Sequence, residues 1–472
     1  MTIPGVCYAA HGAGTVQIAY KMTAPLTQQY AQLIATCRDR PLPAQAAEVA
    51  ALGFTDAFGV MVAGAQEPAV RTLVQWARAQ GAAPQARVIG ESRPMGMEQA
   101  ALVNATAAHA LDYDDFAFSN HPSAVLVPTI LAAADRFGAN GSTMALAYVV
   151  GYEVWADLML REQDLYYDRG WHPTSVLGPL GAAAAASVVM GFDASRSSHA
   201  LALAASSASG IFENFGTMAK PYHGGRAACA GLTAASMAGA GLQASPTALE
   251  GRHGLLRAIS PNGKVDLERP VSASTWRISS MRLNIKKYPM VGAAQRGIDA
   301  VLALDPAQAF AADDVLRIVA HISERHAAVM PFHRPQDALQ AKFSLEFALA
   351  SALLHGAVGF AELQDAVVRS APIQRLMGLV ELQTSDAFEP GWRDAAPFDQ
   401  VFFHLRDGRT VASPPVRRAK GHADTPLSVD ELRDKFMGCM AHGGVSGSSG
   451  ARLFGALQNL PRIDSAAQLD FP

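Results

Sequence analysis

The strongest constraint on the fold is a helical periodicity carried by very small residues. Between Leu26 and about Leu283, apolar residues recur at three- and four-residue spacing in runs rich in alanine and glycine, such as AAEVAALGFTDAFGVMVAG, VLVPTILAAADRFG, ALAYVVGYEVWADLML and LGAAAAASVVMG. Glycine or Asn-Gly closes many of these runs, as expected at helix ends. Helices with so little side chain can approach closely, which predicts an all-α bundle with several helices buried on most sides. Half of the 472 residues are apolar and 17% are charged, enough to bury a large core and too apolar for a disordered chain. The length suits two domains. The longest apolar stretch, Val176 to Phe192, contains Gly178, Pro179 and Gly181. A membrane span needs about 20 apolar residues of larger size, so this stretch reads as a buried helix and no membrane is implied.

The pattern changes after Thr275. WRISSMRLNIKKYP alternates, VLRIVAHIS and QVFFHLRDGRTVASPPV carry β-branched runs, and Asp407-Gly408 marks a turn. AQRGIDAVLAL, SLEFALASALLHG and FAELQDAVV between them are helical in pattern. The expected organisation is mainly α. A helical domain spans residues 22–283, a smaller α/β lid domain 284–419, and a C-terminal return to the helical domain 420–472, with residues 1–21 as an extension. Ser428 with Glu431 three residues later opens a helix, and His442 to Gly450 reads as a flexible loop. The first 21 residues show no early basic residue and no long apolar region, so they do not read as a secretory signal. Cys7, Cys37, Cys229 and Cys439 form no C-x-x-C pair and suggest reduced, mostly buried thiols of a cytoplasmic protein. With 38 basic against 41 acidic residues and no basic run, no nucleic-acid partner is expected.

Three segments share one design. His121-Pro122-Ser123, His172-Pro173-Thr174-Ser175 and Lys220-Pro221-Tyr222-His223 each place a basic residue before a proline suited to the first turn of a following helix. Helix starts offer unpaired N–H groups and partial positive charge, where carboxylates and phosphates bind. Singly, each is an ordinary proline-initiated helix; together they point to one polyanion pocket walled by imidazoles and an amine. A fourth segment, NATAAHALDYDD, puts His109, Asp112 and Tyr113 on one helix face and gathers Asp112, Asp114 and Asp115 within four residues. Burying those acids requires cations, and Lys220 and the proline-flanked histidines are the economical partners; a solvated acidic helix end is the plainer alternative. No H-E-x-x-H or H-x-H spacing supports a metal. The Asp112–Asp115 string matches the acid of some terpene cyclases, but 7% aromatic residues is low for their cavities. No phosphate-cradling glycine loop or G-x-S-x-G elbow is present, so Lys220 has no pyridoxal phosphate setting.

Together these pieces resemble the MmgE/PrpD family, whose members include 2-methylcitrate dehydratase, cis-aconitate decarboxylase and iminodisuccinate epimerase. The resemblance rests on NATAAHALDYDD, HPSAVLVPTILAAAD, GWHPTSVLGPLGAAAAA, NFGTMAKPYHGGRAA, KKYPMVGAAQRGIDAV and RPQDALQAKFSLEFALASALLHG, which occur in the family's order from about Leu26 to about Phe436. It implies a large helical domain, a smaller α/β lid, a homodimer and no organic cofactor. By similarity to the decarboxylase branch, Asp112, His121, His172 and Lys220 fall on catalytic positions; His109, Ser123, Thr174, Ser175, His223 and Tyr288 are the substrate-binding candidates. Phe116 stands where that branch has a threonine, and the stretch from Asp115 to His121 is short for it. Met290 to Ala294 follow Pro289 where many methylcitrate dehydratases carry cysteines and a histidine. NFGTMAKPYHGGRAA is closest to the epimerase-like and decarboxylase-like branches.

The activities named share proton transfer at a carbon beside a carboxylate. The developing charge needs fixed donors, and the acid or base should titrate near neutrality, as a free imidazole does and a lysine does only after burial beside other cations. The expected function is a cofactor-independent lyase acting on a di- or tricarboxylic acid, with an epimerase as the alternative. A polycarboxylate-binding protein without turnover is the rival from another class, although such a binder needs basic anchors and has no use for Asp112.

Overall fold

A computed structural model describes residues 24–272, 275–389 and 396–472; the extension 1–21 and Cys7 lie outside them. Helices of seven or more residues are numbered in chain order. The first part is helical throughout: α1 Leu26–Thr36, α2 Ala44–Gly64, α3 Pro68–Gln80, α4 Met97–Ala110, α5 Pro122–Phe137, α6 Gly141–Met159, α7 Pro173–Val189, α8 Ala194–Ala205 and α9 Ala219–Gly239. α4 packs against α2, α5 and α9, and α7 against α5, α6 and α9, so α9 lies between α4 and α7.

Small residues make this packing possible. A Cβ at Gly225 of α9 would lie 2.1 Å from Thr106 Oγ1 and 2.5 Å from the Leu102 carbonyl of α4. One at Gly231 would lie 2.4 Å from Ala182 Cβ and 2.5 Å from the Pro179 carbonyl of α7. The bundle closes only where those side chains are missing. α7, with its internal Pro179, is buried along its whole length. α2 is long and apolar enough to cross a membrane, but most of it is buried inside the protein.

A second apolar core forms around a four-stranded sheet of β1 Val315–Ser323, β2 Val380–Ser385, β3 Gln400–Leu405 and β4 Thr410–Ala412, in the order β2-β1-β3-β4. β1 pairs with β2 in parallel and with β3 antiparallel, and β3 returns to β4 through the Asp407-Gly408 turn, where Gly408 has φ 88°. α10 Gln295–Leu302 packs on β3 and on α11 Leu345–His355, while α12 Ala371–Met377 precedes β2. Helices α13 Val429–His442 and α14 Gly447–Gln458 rest on α2, with Leu432, Phe436 and Cys439 in the first core. The architecture is mainly α with a smaller α/β region.

Local differences from the sequence reading have physical causes. Arg277–Met281 is a helical turn rather than a strand, because the buried Glu153 carboxylate accepts the Ile278 N–H at 2.8 Å. α14 begins inside the stretch read as a loop, with Ser446 Oγ accepting the Ser449 N–H. In FAELQDAVV only Asp365–Val368 is helical. The half-exposed β2 was not anticipated. Ser428 and Glu431 do form the reciprocal cap, with Ser428 N donating to Glu431 at 2.8 Å. Cys37 and Cys439 are buried and Cys229 half-buried, and all three are free thiols.

Candidate active site

α4 delivers the acidic segment. Its last turn ends at Ala110, and Asp112 then takes φ 50°, a left-handed conformation that aspartate tolerates better than most side chains. This reversal turns the four residues from Asp112 to Asp115 away from the helix axis, and all four are buried.

Asp112 receives two ammonium groups. Lys220, in the first turn of α9, donates to its Oδ1, and Lys286 lies 3.3 Å from the same oxygen while donating to the Asp112 carbonyl at 2.7 Å. Its other carboxylate oxygen, Oδ2, has no hydrogen-bond partner within the protein. Burial alone would raise this carboxyl; Lys220 and Lys286 outweigh it and hold Asp112 well below the usual carboxylate range. Burial pushes the Lys220 ammonium below its ordinary value, against the pull of Asp112 and with help from Lys286. Phe215 and Phe343 flank that nitrogen, their ring centres 5.1 and 5.0 Å away.

Asp114 lies between two imidazoles, 3.0 Å from His109 Nδ1 and 2.8 Å from His121 Nδ1. The His121 Nδ1 also lies 3.2 Å from the Asp115 carbonyl, so only its Nε2 edge is left for a ligand. Burial would raise Asp114, but His109 and His121 hold it well below the usual range. Burial lowers His109 to about 4 despite Asp114, so it is neutral at pH 7. These three residues bring one possible ligand atom each within 4.8 Å of one another. An ionised Asp114 accepts a hydrogen bond from each ring at these distances, so a cation bound here would have to displace both Nδ1 protons.

The three proline-flanked starts converge only in part. His121 and His172 are the residues before Pro122 and Pro173, but α9 starts before Lys220, which lies inside the first turn. A cavity of about 370 Å³ opens between the helical bundle and the α/β region; Asp112, His121, Lys220 and Lys286 line it. His172 does not. It is fully buried behind Phe215, with ring centres 4.8 Å apart, and its Nδ1 lies 3.1 Å from His223 Nδ1. Burial lowers His172 well below neutrality and His223 to about 4, so one neutral imidazole donates to the other. His172 is therefore a buried neutral neighbour and not a group that titrates near pH 7 at the wall.

The remaining candidates also lie off the wall. Thr174 Oγ1 accepts the His121 N–H at 3.3 Å, and Ser123 shares a 2.6 Å hydrogen bond with Tyr148 beneath α5. Ser175 is buried with its hydroxyl unpartnered. Tyr288 belongs to the second core and donates to Asp299 at 2.7 Å, so it is turned away from the cavity. His109 lies behind His121, with ring centres 4.3 Å apart.

Sequence reasoning missed Lys286. Its neighbour Lys287 has a 40% exposed side chain and faces Glu431, whereas the Lys286 side chain is 1% exposed. The doubled lysine before Tyr-Pro in an apolar stretch was the available signal. A second group was also missed: behind the acidic segment, Lys435 of α13 pairs with Asp56 at 2.5 Å and donates to the Tyr113 carbonyl at 2.8 Å, and Asp56 accepts the Asp115 N–H at 3.0 Å.

The site therefore offers two ammonium groups on one carboxylate, an imidazole held by a second, and room for a small organic acid. Comparison with known proteins agrees with this chemistry. The MmgE/PrpD N-terminal domain model matches residues 28–268 and the MmgE/PrpD C-terminal domain model residues 288–451. The chain is 29% identical over 352 residues to the cis-aconitate decarboxylase of Mus musculus, covering 71% of this chain and 70% of the relative. It is 28% identical over 353 residues to that of Homo sapiens, covering 71% of each. A cis-aconitate decarboxylase-like protein of Aspergillus oryzae is 27% identical over 377 residues, covering 74% of this chain and 77% of the relative. With both domain models matched in order across most of its length, the chain belongs to the MmgE/PrpD family.

Proposed function

We propose that the protein is a cofactor-independent lyase that binds a di- or tricarboxylic acid and moves a proton at a carbon next to a carboxylate. The observation that carries this reading is the meeting of Lys220 and Lys286 on one oxygen of Asp112 at the wall of a small cavity, with His121 on the same wall. The two ammonium groups meet on one oxygen of Asp112 and have further N–H donors for a substrate carboxylate. The same donors stabilise the enediolate-like charge when the neighbouring carbon gains or loses a proton. His121, oriented by Asp114, and Lys220, whose proton affinity burial reduces, are the two groups placed to carry that proton. In a decarboxylation the C–CO2 electron pair passes into the enediolate and one of them protonates the carbon. In a dehydration one removes the α-proton and the other protonates the departing β-hydroxyl.

Similarity to cis-aconitate decarboxylases supports a decarboxylation or dehydration, with reprotonation on the opposite face, an epimerisation of a dicarboxylate, as the alternative. A homodimer is the expected assembly and the cytoplasm the expected compartment. The test is proton NMR in D2O with 2-methylcitrate, citrate, cis-aconitate and iminodisuccinate. Deuterium beside a carboxylate or a new product is the expected result, and the product names the reaction. Saturable binding of these acids with neither exchange nor product would leave a binding protein instead.

A further inference from the structure

Every cationic side chain of the cavity is already engaged with an acid. Of its cationic side chains, Arg296 is paired with Asp399 at 2.7 Å, Arg325 with Asp168 at 3.2 Å, and Arg417 and Arg418 both with Glu389. Arg417 and Arg418 thus share one acid, with Asp424 also 3.2 Å from Arg418. Lys220 and Lys286 likewise share Asp112, and both are buried, their side chains 4% and 1% exposed.

Much of the wall between is apolar. Phe116, Phe118, Tyr167, Phe212, Phe215 and Val291 line it, and none of the six is fully buried by the protein itself. Three of the rings form a cluster, with centres 4.4 Å apart for Phe212 and Phe215 and 5.5 Å for Tyr167 and Phe212. The Phe116 backbone is held by paired hydrogen bonds with Asn284 of 3.0 and 2.9 Å, which places its side chain at the wall. Partly exposed rings gathered inside a cavity are apolar surface waiting for a partner. A compact, all-polar acid held at Lys220 and Lys286 would leave these rings without a partner.

We propose that the substrate is a carboxylic acid of the proposed class that also carries an apolar substituent of about phenyl size, seated on the Phe116–Phe212–Phe215 wall while a carboxylate meets Lys220 and Lys286. The proposal rests on the proton-transfer reading for the reaction but not for the binding. Burying an apolar group as large as a phenylalanine side chain is worth at least one factor of ten in affinity.

The experiment is titration calorimetry of the wild-type protein with succinate and with 2-benzylsuccinate, alongside deuterium exchange of both acids in D2O. The expected result is binding of 2-benzylsuccinate at least tenfold tighter than succinate, with that ratio reduced at least threefold in Phe116→Ala. Equal or weaker binding of the benzyl acid, or no binding of either, overturns the proposal even if the smaller polycarboxylates undergo exchange. Tighter binding of the benzyl acid without exchange in any acid upholds the apolar seat and counts against the proton-transfer reading. The wild-type ratio decides the matter even if Phe116→Ala fails to fold.

Discussion

The segment from Asp112 to Asp115 supplies acids to two sides, and the two sides are charged differently. On the cavity side Asp112 and Asp114 meet Lys220, Lys286, His109 and His121, and both carboxyls are held below their ordinary range. On the sealed side Asp56 and Asp115 share one cation, Lys435; burial pushes both carboxyls up, and Asp56 raises Asp115 further. Burial is complete on both sides, so the number of cations decides the protonation state. Two ammonium groups for two acids hold the cavity-side carboxyls low, while one for two leaves the sealed-side carboxyls raised.

Removing the one cation of the sealed side should have the largest effect. Lys435→Met strands Asp56 and frees the Tyr113 carbonyl, and a loss of about 3–5 kcal/mol in urea unfolding is expected, as for other broken buried pairs. A loss below about 1 kcal/mol would show that the sealed pair is not a structural tie. On the cavity side, Lys220→Ala should cost about 100-fold or more in turnover with the fold retained; activity within a few-fold of wild type would remove Lys220 from the mechanism. Asp114→Asn keeps the shape but takes away the charge that orients His121. A decrease on the order of tenfold in kcat with little change in KM is expected, and an effect on KM alone would assign Asp114 to binding.

Asp115→Asn should be the mildest change at pH 4, and its pH dependence tests the charge comparison directly. The folded Asp115 titrates above its unfolded value, so its contribution is fully present below about pH 3.9 and is lost as pH rises toward the folded value. The asparagine variant has no such loss. It should lie within about 1 kcal/mol of wild type at pH 4 and gain on it by roughly 1.4 kcal/mol per pH unit above that, until the folded group ionises. A stability difference that stays flat from pH 4 to 7 would mean that Asp115 is already ionised.

The bundle was legible because its signal is local. Alanine and glycine at helical spacing, prolines in first turns and the Ser428–Glu431 cap each act within a few residues. The Asp112–Lys220 pairing was also legible, since buried acids require cations and few were on offer. What escaped depended on long-range contacts. Lys286 and Lys287 are adjacent and chemically identical, and only the path of the chain after Asn284 turns one onto Asp112 and the other toward Glu431. His172 has the same local context as His121, yet Phe215 screens it from the cavity. The half-exposed β2 has no strong apolar alternation and is organised by its parallel partner β1.

The glycines of α9 have one more consequence. Gly225 and Gly231 follow Lys220 by five and eleven residues, and at each a neighbouring helix comes so close that not even a methyl group fits. A helix in such a seat has a rotational lock, since any turn about its axis drives a side chain into α4 or α7. Slipping by one residue would swing Lys220 through about 100° and off Asp112. The aim of the reactive amine is thus set by contacts that hold no chemistry of their own, in positions where the useful property is the absence of a side chain.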